Sequence, residues 1–408
     1  MKGRLKVGRI LFQDFRVLTP FRILENHSVL VEGNKIKIIG EKNIIKAERD
    51  MKTIDGKGLL YLSPGFIDIH VHGGGGADCL EGTWEALKVI ARSHARGGTT
   101  AFCPTITTAP LEHIFRSLDT IREIGSSPTG GARILGAHVE GPYFSKSQRG
   151  AQNPDFLRVP SREDLEKFLS YQEAIKRISL APELPGALEF GRKMREAGIM
   201  VAIGHSDATY DEVLSAIENG FSHVTHIYSA MSGVQRINLY RVAGVIESAL
   251  LRDELTVEMI ADGKHLPPHL MQFVLKNKGL GQVCAVTDAM EAAGMPEGEY
   301  KIGGLEVIVE EGVAKLKDRS AFAGSVATMD LLVRTLVHLV GLSLEEAVQL
   351  VSFNPAKFLG LDYRQGVIAP EKDADLVVLD PDLEVKMTIV QGKIVYDNLK
   401  EGVTKNEN

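Results

Sequence analysis

The sequence predicts an α/β protein in which a (β/α)8 barrel of the TIM type carries a small flanking β-sandwich domain built from both chain ends. Two observations favour the barrel. Between residues 63 and 361, short apolar strands alternate with amphipathic helical segments, and eight such strands can be counted. A third observation indicates the flanking domain: both ends of the chain are rich in strand-like segments, and neither could bury a core alone.

The barrel strands are short apolar runs separated by helical patterns. They are expected at residues 66–71, 100–105, 134–139, 177–181, 200–204, 223–226, 256–261 and 283–287. After the last of them, residues 300–317 are expected to form a β-hairpin that turns at Glu311-Gly312. A long helix containing residues 329–340 should follow.

The flanking domain is expected to combine strands from the two termini. These strands are predicted at residues 6–12, 28–32, 35–39, 375–379, 385–390 and 393–396. Gly33-Asn34 and Gln391-Gly392 supply two-residue turns of the kind that join antiparallel strands. The chain is accordingly divided into residues 1–62 and 362–408, which form the flanking domain, and residues 63–361, which form the barrel.

Composition narrows the class of protein. The 408 residues are 25% charged and 44% hydrophobic, and the formal net charge is -6. Lys and Arg are scattered, so neither a nucleic acid nor a membrane is expected as partner. Residues 1–6 lead into no signal-peptide pattern, which indicates a mature N-terminus. Cys79, Cys103 and Cys284 lie far apart, and free thiols of this kind predict a reducing, cytoplasmic location.

The segment at residues 64–73 ends in two histidines that are one residue apart. Residues i and i+2 of a β-strand point to the same side, so His70 and His72 can present both imidazoles to a single ion. This pattern alone would also fit two solvated or core histidines at a strand end.

Other residues able to bind metal or transfer protons follow at the predicted carboxyl ends of further strands. Glu140 ends the third strand, His205 the fifth, His226 the sixth and Asp288 the eighth. In a (β/α)8 barrel this rim is the catalytic face, where side chains from different strands converge on the axis. Each residue alone has an ordinary structural explanation, but their shared position on one rim indicates a metal site.

Imidazole and carboxylate ligands suit zinc, with iron, manganese or cobalt as alternatives, and one or two divalent ions per subunit are expected. One ion would be bound by His70, His72 and Glu140. Another would be bound by Glu140, His205 and His226. A divalent ion lowers the pKa of a bound water, and Asp288 would accept that water's proton and deliver it to a leaving amine. The predicted metal-site residues are His70, His72, Glu140, His205, His226 and Asp288.

Seven segments carry a family resemblance, at residues 64–73, 138–142, 204–208, 225–231, 261–265, 286–289 and 374–380. Together they resemble the N-acetylglucosamine-6-phosphate deacetylases of the amidohydrolase superfamily, over roughly residues 36–397. The His-Val-Glu-Gly-Pro sequence at 138–142 is the discriminating segment, because dihydroorotase-like and urease-like relatives usually place a carboxylated lysine where Glu140 stands. The resemblance implies hydrolysis of the acetamide of an amino-sugar phosphate during amino-sugar catabolism, by a homodimer.

The resemblance also implies a set of substrate contacts. They are Ala151, Gln152, Ser229, Ala230, Arg236, Arg241, His265, Ala323 and Gly324. His265 would hydrogen-bond a sugar hydroxyl, with a helix-capping role as the alternative. Relatives typically carry Asn in place of Ser229 and His in place of Gln152. Gln152 can donate a hydrogen bond to the acetamide oxygen but adds no positive charge.

The predicted phosphate contact departs from the family pattern. Relatives carry an Arg-Glu-Pro-Gly run whose arginine binds the phosphate, whereas residues 235–241 here read Gln-Arg-Ile-Asn-Leu-Tyr-Arg. Arg236 and Arg241 are both candidates, because a guanidinium can hold a phosphate through two hydrogen bonds. An exposed loop arginine without a ligand is the alternative for either.

Three functions compete at this stage. The first is a deacetylase of N-acetylglucosamine 6-phosphate or a related amino-sugar phosphate such as N-acetylgalactosamine 6-phosphate. The second is an amidohydrolase of the cyclic-amidase or D-aminoacylase type, which shares the barrel and the histidine pair and would act on hydantoins, dihydroorotate or N-acyl amino acids. The third is a scaffold or binding protein, which normally has a broken metal set, whereas this set is complete.

Overall fold

The computed structural model describes residues 8–399, so the first two residues of the strand expected at 6–12 lie outside the described part. The strands are β1 (Arg9–Leu18), β2 (Ile23–Glu32), β3 (Lys35–Glu41), β4 (Met51–Asp55), β5 (Tyr61–Pro64), β6 (Phe66–Val71), β7 (Gly73–Gly74), β8 (Ala77–Asp78), β9 (Thr99–Ile106), β10 (Arg133–Ile134), β11 (Ala137–Glu140), β12 (Ile175–Leu180), β13 (Met200–Ile203), β14 (Phe221–Val224), β15 (Gln235–Ile237), β16 (Tyr240–Val242), β17 (Thr256–Ile260), β18 (Val283–Val286), β19 (Gly298–Ile302), β20 (Leu305–Glu310), β21 (Val313–Leu316), β22 (Leu376–Leu379), β23 (Val385–Val390) and β24 (Lys393–Asp397).

The α-helices follow the barrel strands on the outside. They are α1 (Trp84–Arg96), α2 (Leu111–Ile124), α3 (Arg162–Leu169), α4 (Ala187–Glu196), α5 (Tyr210–Glu218), α6 (Val245–Leu251), α7 (Pro268–Lys278), α8 (Met329–Thr335), α9 (Leu344–Val351) and α10 (Phe353–Phe358). Within residues 8–399, no helix combines the length and apolarity needed to cross a bilayer.

Eight parallel strands form the barrel, in the order β6, β9, β11, β12, β13, β14, β17 and β18. The last strand closes against the first at their carboxyl ends. There the Asp288 amide donates to the carbonyl oxygen of His70 at 3.0 Å, and Val71 and Ala289 form a parallel bridge. The predicted barrel is confirmed, and its closure brings the ends of β6 and β18 together.

The flanking sheet joins the two chain ends, as predicted. Its order is β24-β23-β22-β5-β1-β2-β3, and β4 pairs with the first half of β1. The strand pair β5 and β22 is antiparallel and connects the N-terminal to the C-terminal part. The predicted fold class is confirmed. The division of the chain at residues 62/63 and 361/362 stays a prediction.

Gly65 marks the passage from the sheet to the barrel. Its amide donates to the carbonyl oxygen of Asp375 at 2.8 Å, and a Cβ there would lie 2.2 Å from Oγ1 of Thr100. Glycine is therefore required for the close approach of β5 and β6 to their neighbours.

Several element boundaries differ from the sequence-based expectations. The first strand was expected to end at Phe12, but β1 continues to Leu18. Its pairing with β2 shifts register between Phe12 and Phe15, where Asp14 has a φ of +59°, and then resumes. The next strand was expected to start at Ser28, but β2 starts at Ile23. Strands β4 and β5 were not predicted.

The segment at residues 300–317 was expected to form one hairpin. The structure instead has a three-stranded sheet of β19, β20 and β21 there. The turn at Glu311-Gly312 is where it was predicted, and a second turn at Gly303-Gly304, with both φ values positive, adds the third strand. The long helix expected over 329–340 is α-helical only through Thr335, and the rest, Leu336–Val340, winds as a wider π-turn.

Candidate active site

The predicted metal-site residues lie together at the carboxyl ends of the barrel strands. His70 lies near the end of β6, His72 directly follows that strand, and Glu140 is the last residue of β11. The others follow their strands by two residues: His205 after β13, His226 after β14 and Asp288 after β18. The structure thus brings all six into one cluster, each at most 7% exposed.

Three of the six residues have left-handed backbone, with φ of +48° at His205, +30° at His226 and +51° at Asp288. Residues other than glycine adopt such angles at a cost that the surrounding structure must offset, and they concentrate at functional sites. Hydrogen bonds fix two of these turns: the Ser145 amide donates to the His205 carbonyl at 3.0 Å, and the Ser325 amide donates to the Asp288 carbonyl at 2.7 Å.

A first metal-capable group consists of His70, His72 and Glu140. The Nε2 atoms of the two histidines lie 3.3 Å apart. Nε2 of His70 is 3.3 Å from Oε1 of Glu140, and Nε2 of His72 is 3.2 Å from Oε2 of the same carboxylate.

A second metal-capable group consists of Glu140, His205 and His226. Oε1 of Glu140 lies 3.1 Å from Nε2 of His226 and 3.5 Å from Nε2 of His205, and these two nitrogens are 3.1 Å apart. Glu140 is the residue that the two groups share, and it offers both of its oxygens to the first group and Oε1 to the second.

Asp288 faces the first group, with Oδ1 3.2 Å from Nε2 of His70 and 3.2 Å from Nε2 of His72. Among the described residues, this buried oxygen has no hydrogen-bond donor. Nitrogen lone pairs and carboxylate oxygens that face one another at these distances leave an excess of acceptors, which a cation satisfies. The donor set therefore fits divalent metal ions.

The electrostatics of the cluster keep its carboxylates ionised. Burial raises the pKa of Glu140, but His70, His205 and His226 outweigh it and hold that pKa well below the usual value. Burial likewise raises the pKa of Asp288, and His70 and His72 outweigh it, so that this pKa is also lowered. Both side chains are thus anionic at neutral pH, as ligands and proton acceptors must be.

Two of the histidines are oriented by hydrogen bonds from Nδ1, the ring nitrogen that faces away from the cluster. Nδ1 of His70 donates to Oε1 of Glu258 at 2.7 Å, and Nδ1 of His205 donates to the carbonyl oxygen of Gln148 at 2.8 Å. Because carboxylate and carbonyl oxygens only accept, the proton of each ring lies on Nδ1. Nε2 is the ring atom directed into the cluster, and in the neutral imidazole its lone pair is available to a metal ion.

A cavity of about 290 Å³ opens above the cluster. Six predicted substrate contacts line it, namely Ala151, Gln152, Ser229, Ala230, His265 and Gly324. Ala323 is buried beside the cavity without lining it. Arg236 and Arg241 lie outside it, on the exposed hairpin of β15 and β16. The roles assigned to all nine residues stay predictions.

Gln152 has a fixed orientation in this cavity. Its Nε2 donates to Oε2 of Glu140 at 2.7 Å, and its Oε1 accepts from Oγ1 of Thr107 and from the amide of Thr108, each at 2.9 Å. These bonds define which end of the amide faces the metal cluster, and they leave one N–H of Nε2 free for a ligand.

His265 is held by the loop after β17. Its Nδ1 donates to Oδ2 of Asp262 at 2.8 Å, while Oδ1 of Asp262 accepts from the amides of Lys264 and His265. Burial lowers the pKa of His265, but Asp262 outweighs this effect and raises it. The edge of the ring meets Phe322, with the ring centroids 5.0 Å apart.

Some residues of the site were not predicted from the sequence. Tyr228, Thr107 and Phe322 line the cavity, and Glu258 and Arg177 lie buried beneath the cluster. The cavity walls come from loops, which leave no periodic signal. Glu258 and Arg177 do leave a signal in the sequence. A parallel barrel strand is buried on both faces, so a charged residue inside its apolar run needs a buried partner.

A model of the amidohydrolase family matches residues 61–395, which include the whole barrel and the metal-capable cluster. The chain belongs to the amidohydrolase family. The family resemblance carried by the sequence motifs is therefore confirmed.

Curated relatives of this amidohydrolase cover most of its length. It is 35% identical over 341 residues to the N-acetylglucosamine-6-phosphate deacetylase of Vibrio furnissii. This match covers 83% of this chain and 84% of the relative. It is 33% identical over 380 residues to the N-acetylgalactosamine-6-phosphate deacetylase of Escherichia coli O157:H7, with 93% and 97% covered.

Solved structures of such proteins have the same fold. The N-acetylglucosamine-6-phosphate deacetylase from Pasteurella multocida superposes with a TM-score of 0.88 at 31% identity, covering 95% of this chain and 99% of that one. A mutant of the Mycobacterium smegmatis enzyme in complex with N-acetyl-D-glucosamine-6-phosphate superposes with a TM-score of 0.87 at 31% identity, covering 95% and 100%.

Proposed function

We propose that this amidohydrolase hydrolyses the acetamide of N-acetylglucosamine 6-phosphate to acetate and glucosamine 6-phosphate. The observation that carries the proposal is the pair of metal-capable groups that share Glu140, with Asp288 beside them, on the wall of the cavity. The relatives named for this reaction support the choice of substrate. The galactosamine epimer is the second candidate, because one similar relative is named for it.

We further propose zinc as the resident metal, in one or two ions per subunit, held by the two groups that meet at Glu140. When bound, such an ion lowers the pKa of a water molecule and polarises the substrate carbonyl. Proton transfer and substrate positioning are carried out by side chains of the protein.

Asp288 is the proton carrier in the proposed mechanism. Oδ1 accepts a proton from the attacking water as its oxygen bonds to the acetamide carbon. The same carboxyl then gives the proton to the sugar nitrogen as the C–N bond breaks, which yields the free amine and acetate.

Two further residues position the substrate. The free N–H of Gln152 can donate to the acetamide oxygen, because the other N–H is fixed on Glu140. Nε2 of His265 is directed to the cavity while Nδ1 is bound to Asp262, so a sugar hydroxyl can pair with it.

Among the described residues that line the cavity, there is no Lys or Arg to bind the phosphate. Arg236 and Arg241 lie directly opposite each other in the hairpin of β15 and β16. Two like charges at such a position repel, and an anion held between them would relieve the repulsion.

The same hairpin exposes a set of apolar side chains, with Leu239 77% and Tyr240 78% exposed and Val234 and Ile237 beside them. Exposed apolar groups of this kind mark protein contacts. We therefore propose a homodimer in which the hairpin of each subunit brings Arg236 and Arg241 to the cavity of the other.

Replacing Arg236 or Arg241 by alanine is expected to raise KM for the phosphorylated sugar by about 10- to 100-fold, because a charge-assisted hydrogen bond is lost. KM for the unphosphorylated sugar should change little. Steady-state kinetics with the two sugars measure both effects. If both variants keep the parental preference for the phosphorylated sugar, these arginines are not the phosphate ligands.

A mixing experiment tests whether the arginines act across subunits. A double variant, Arg236→Ala with Arg241→Ala, keeps its own Asp288, and an Asp288→Asn variant keeps its arginines. In a mixed dimer, one cavity then combines both intact parts, so activity at low substrate should exceed the sum of the two variants alone. Activity equal to that sum contradicts the arrangement.

The reaction itself is tested by acetate release. Acetate release is measured for N-acetylglucosamine and N-acetylgalactosamine, each with and without a 6-phosphate. Hydrolysis of a hydantoin is followed by its ring opening and that of an N-acyl amino acid by release of the amino acid, and every assay uses metal-depleted and zinc-reconstituted protein. We expect the highest kcat/KM for N-acetylglucosamine 6-phosphate and no turnover without metal. Preference for the hydantoin or the N-acyl amino acid would contradict the proposal.

A further inference from the structure

A buried ion pair lies inside the barrel, directly below the metal-capable cluster. Glu258 comes from β17 and Arg177 from β12, and both side chains are 0% exposed. Nη1 of Arg177 donates to Oε2 of Glu258, and Nε2 of His223 donates to the same oxygen at 3.4 Å. Desolvation of two charges is costly, so such a pair is weak evidence for stability by itself. Its other hydrogen bonds indicate a different role.

The carboxylate contacts one member of each metal-capable group. Oε1 of Glu258 accepts from Nδ1 of His70 at 2.7 Å and from the backbone amide of His226 at 3.0 Å. The first bond fixes the ring proton of His70 on Nδ1 and so leaves Nε2 free to bind metal. The second bond secures the backbone at His226, where φ is +30°.

The arginine contacts the residues that precede those two histidines. Its Nη1 donates to the carbonyl oxygen of Ile69 at 3.2 Å, and its Nη2 donates to Oγ1 of Thr225 at 3.3 Å. The ion pair therefore holds residues 69–70 and 225–226 from below, and each of these segments carries a histidine of a different group.

We propose that Glu258, together with Arg177, is a positioning residue of the metal centre that sets the geometry of His70 and His226 at once. Loosening the pair then weakens both metal positions together. The inference rests on the metal-binding part of the proposed function, and the sugar substrate does not enter it.

Glu258→Gln is a suitable test because it preserves the volume of the side chain. An amide has one accepting end and one donating end. If its oxygen faces His70 and His226, its NH2 group meets the donors of Arg177. If its NH2 group faces them, the amide of His226 loses its acceptor, and the ring proton of His70 moves to Nε2, where it blocks the metal. Neither orientation reproduces the parental bonds.

The experiment measures metal binding directly. Affinities for Zn²⁺ and Co²⁺ are determined by competition with a chelator, and the visible absorption spectrum of the cobalt-loaded protein reports the ligand geometry. For Glu258→Gln we expect both affinities to fall by about 10- to 100-fold and the cobalt spectrum to change. Excess metal should restore part of the lost turnover.

Asp375→Asn provides the matched control. Asp375 is also a buried carboxylate, and it pairs with Arg133 between the flanking sheet and the barrel, away from the cluster. Its variant removes the same charge from a buried ion pair and should bind metal with parental affinity. Parental affinity and spectrum in Glu258→Gln, or a loss no larger than in the control, would overturn the proposal.

A second variant covers the case in which Glu258→Gln does not fold. Arg177→Lys keeps a charge beside Glu258 but cannot reach both Ile69 and Thr225, and we expect about 3- to 10-fold weaker zinc binding. Parental zinc affinity in this variant would also overturn the proposal. If the parental protein binds neither ion, the metal part of the proposed function fails as well. If the parental protein binds metal and the variants bind it with the same affinity, only the role of the ion pair is refuted.

Discussion

Replacing Glu140 by alanine is expected to remove both metal positions and to reduce turnover by at least about 10³-fold, the loss expected when the main source of rate enhancement disappears. Glu140 is the shared member of the two groups, and its oxygens lie 3.1 to 3.5 Å from the Nε2 atoms of all four histidines. Without this carboxylate, each group retains only two imidazoles, and Asp288 lies beside the first group alone. Elemental analysis of the purified variant measures the bound metal.

His72→Ala is the informative comparison, because His72 belongs to the first group alone. This variant should keep the metal held by Glu140, His205 and His226 and lose only the other. The two variants together therefore distinguish one ion from two. Parental metal content in Glu140→Ala would refute the shared-carboxylate arrangement, whatever the activity of that variant.

The part of the site that the sequence predicted is the part tied to strand ends. His70 and His72 follow from the alternation of side chains along a strand, and Glu140 follows from its position at the end of β11. The closed barrel then dictates that these ends converge, so no tertiary contact had to be known. The same reasoning placed Asp288 after the last strand, where the structure has it.

Two features were missed for different reasons: one turn contains an atypical residue, and one orientation depends on contacts that are distant in the sequence. The hairpin of β15 and β16 turns at Asn238-Leu239, where both φ values are positive, although Leu239 is not a typical turn residue. The orientation of Gln152 is set by Thr107 and Thr108, more than forty positions earlier. Local propensity therefore favours the turn only at Asn238 and holds no information on the orientation of Gln152.

The buried charges are an intermediate case. Glu258 stands within the apolar strand Thr256–Ile260, and a parallel barrel strand offers no solvent to such a side chain. The sequence therefore indicates that Glu258 has a buried partner but does not identify Arg177 as that partner. The register of β12 against the rest of the barrel, which only the fold supplies, settles the choice.

Asp288→Asn is expected to lower kcat by about 10²- to 10⁴-fold, the usual contribution of a positioned general base. Oδ1 of Asp288 is a buried oxygen without a hydrogen-bond donor among the described residues, and it lies 3.2 Å from two Nε2 atoms of the first group. An amide at this position keeps the size of the side chain but cannot accept the proton of the attacking water. Steady-state kinetics of the variant, with its metal content, measure the effect.

The metal should largely remain in this variant, because both metal-capable groups are complete without Asp288. KM should change little, since the proton is transferred only during the chemical step. Asp262→Asn is the matched control on the same rim: Asp262 supports His265 and contacts no member of either group, so its variant should act mainly on KM. A kcat near the parental value in Asp288→Asn, with full metal content, would assign proton transfer to another group. If kcat instead falls while metal and KM are retained, Asp288 acts on the reacting atoms rather than on the structure of the site.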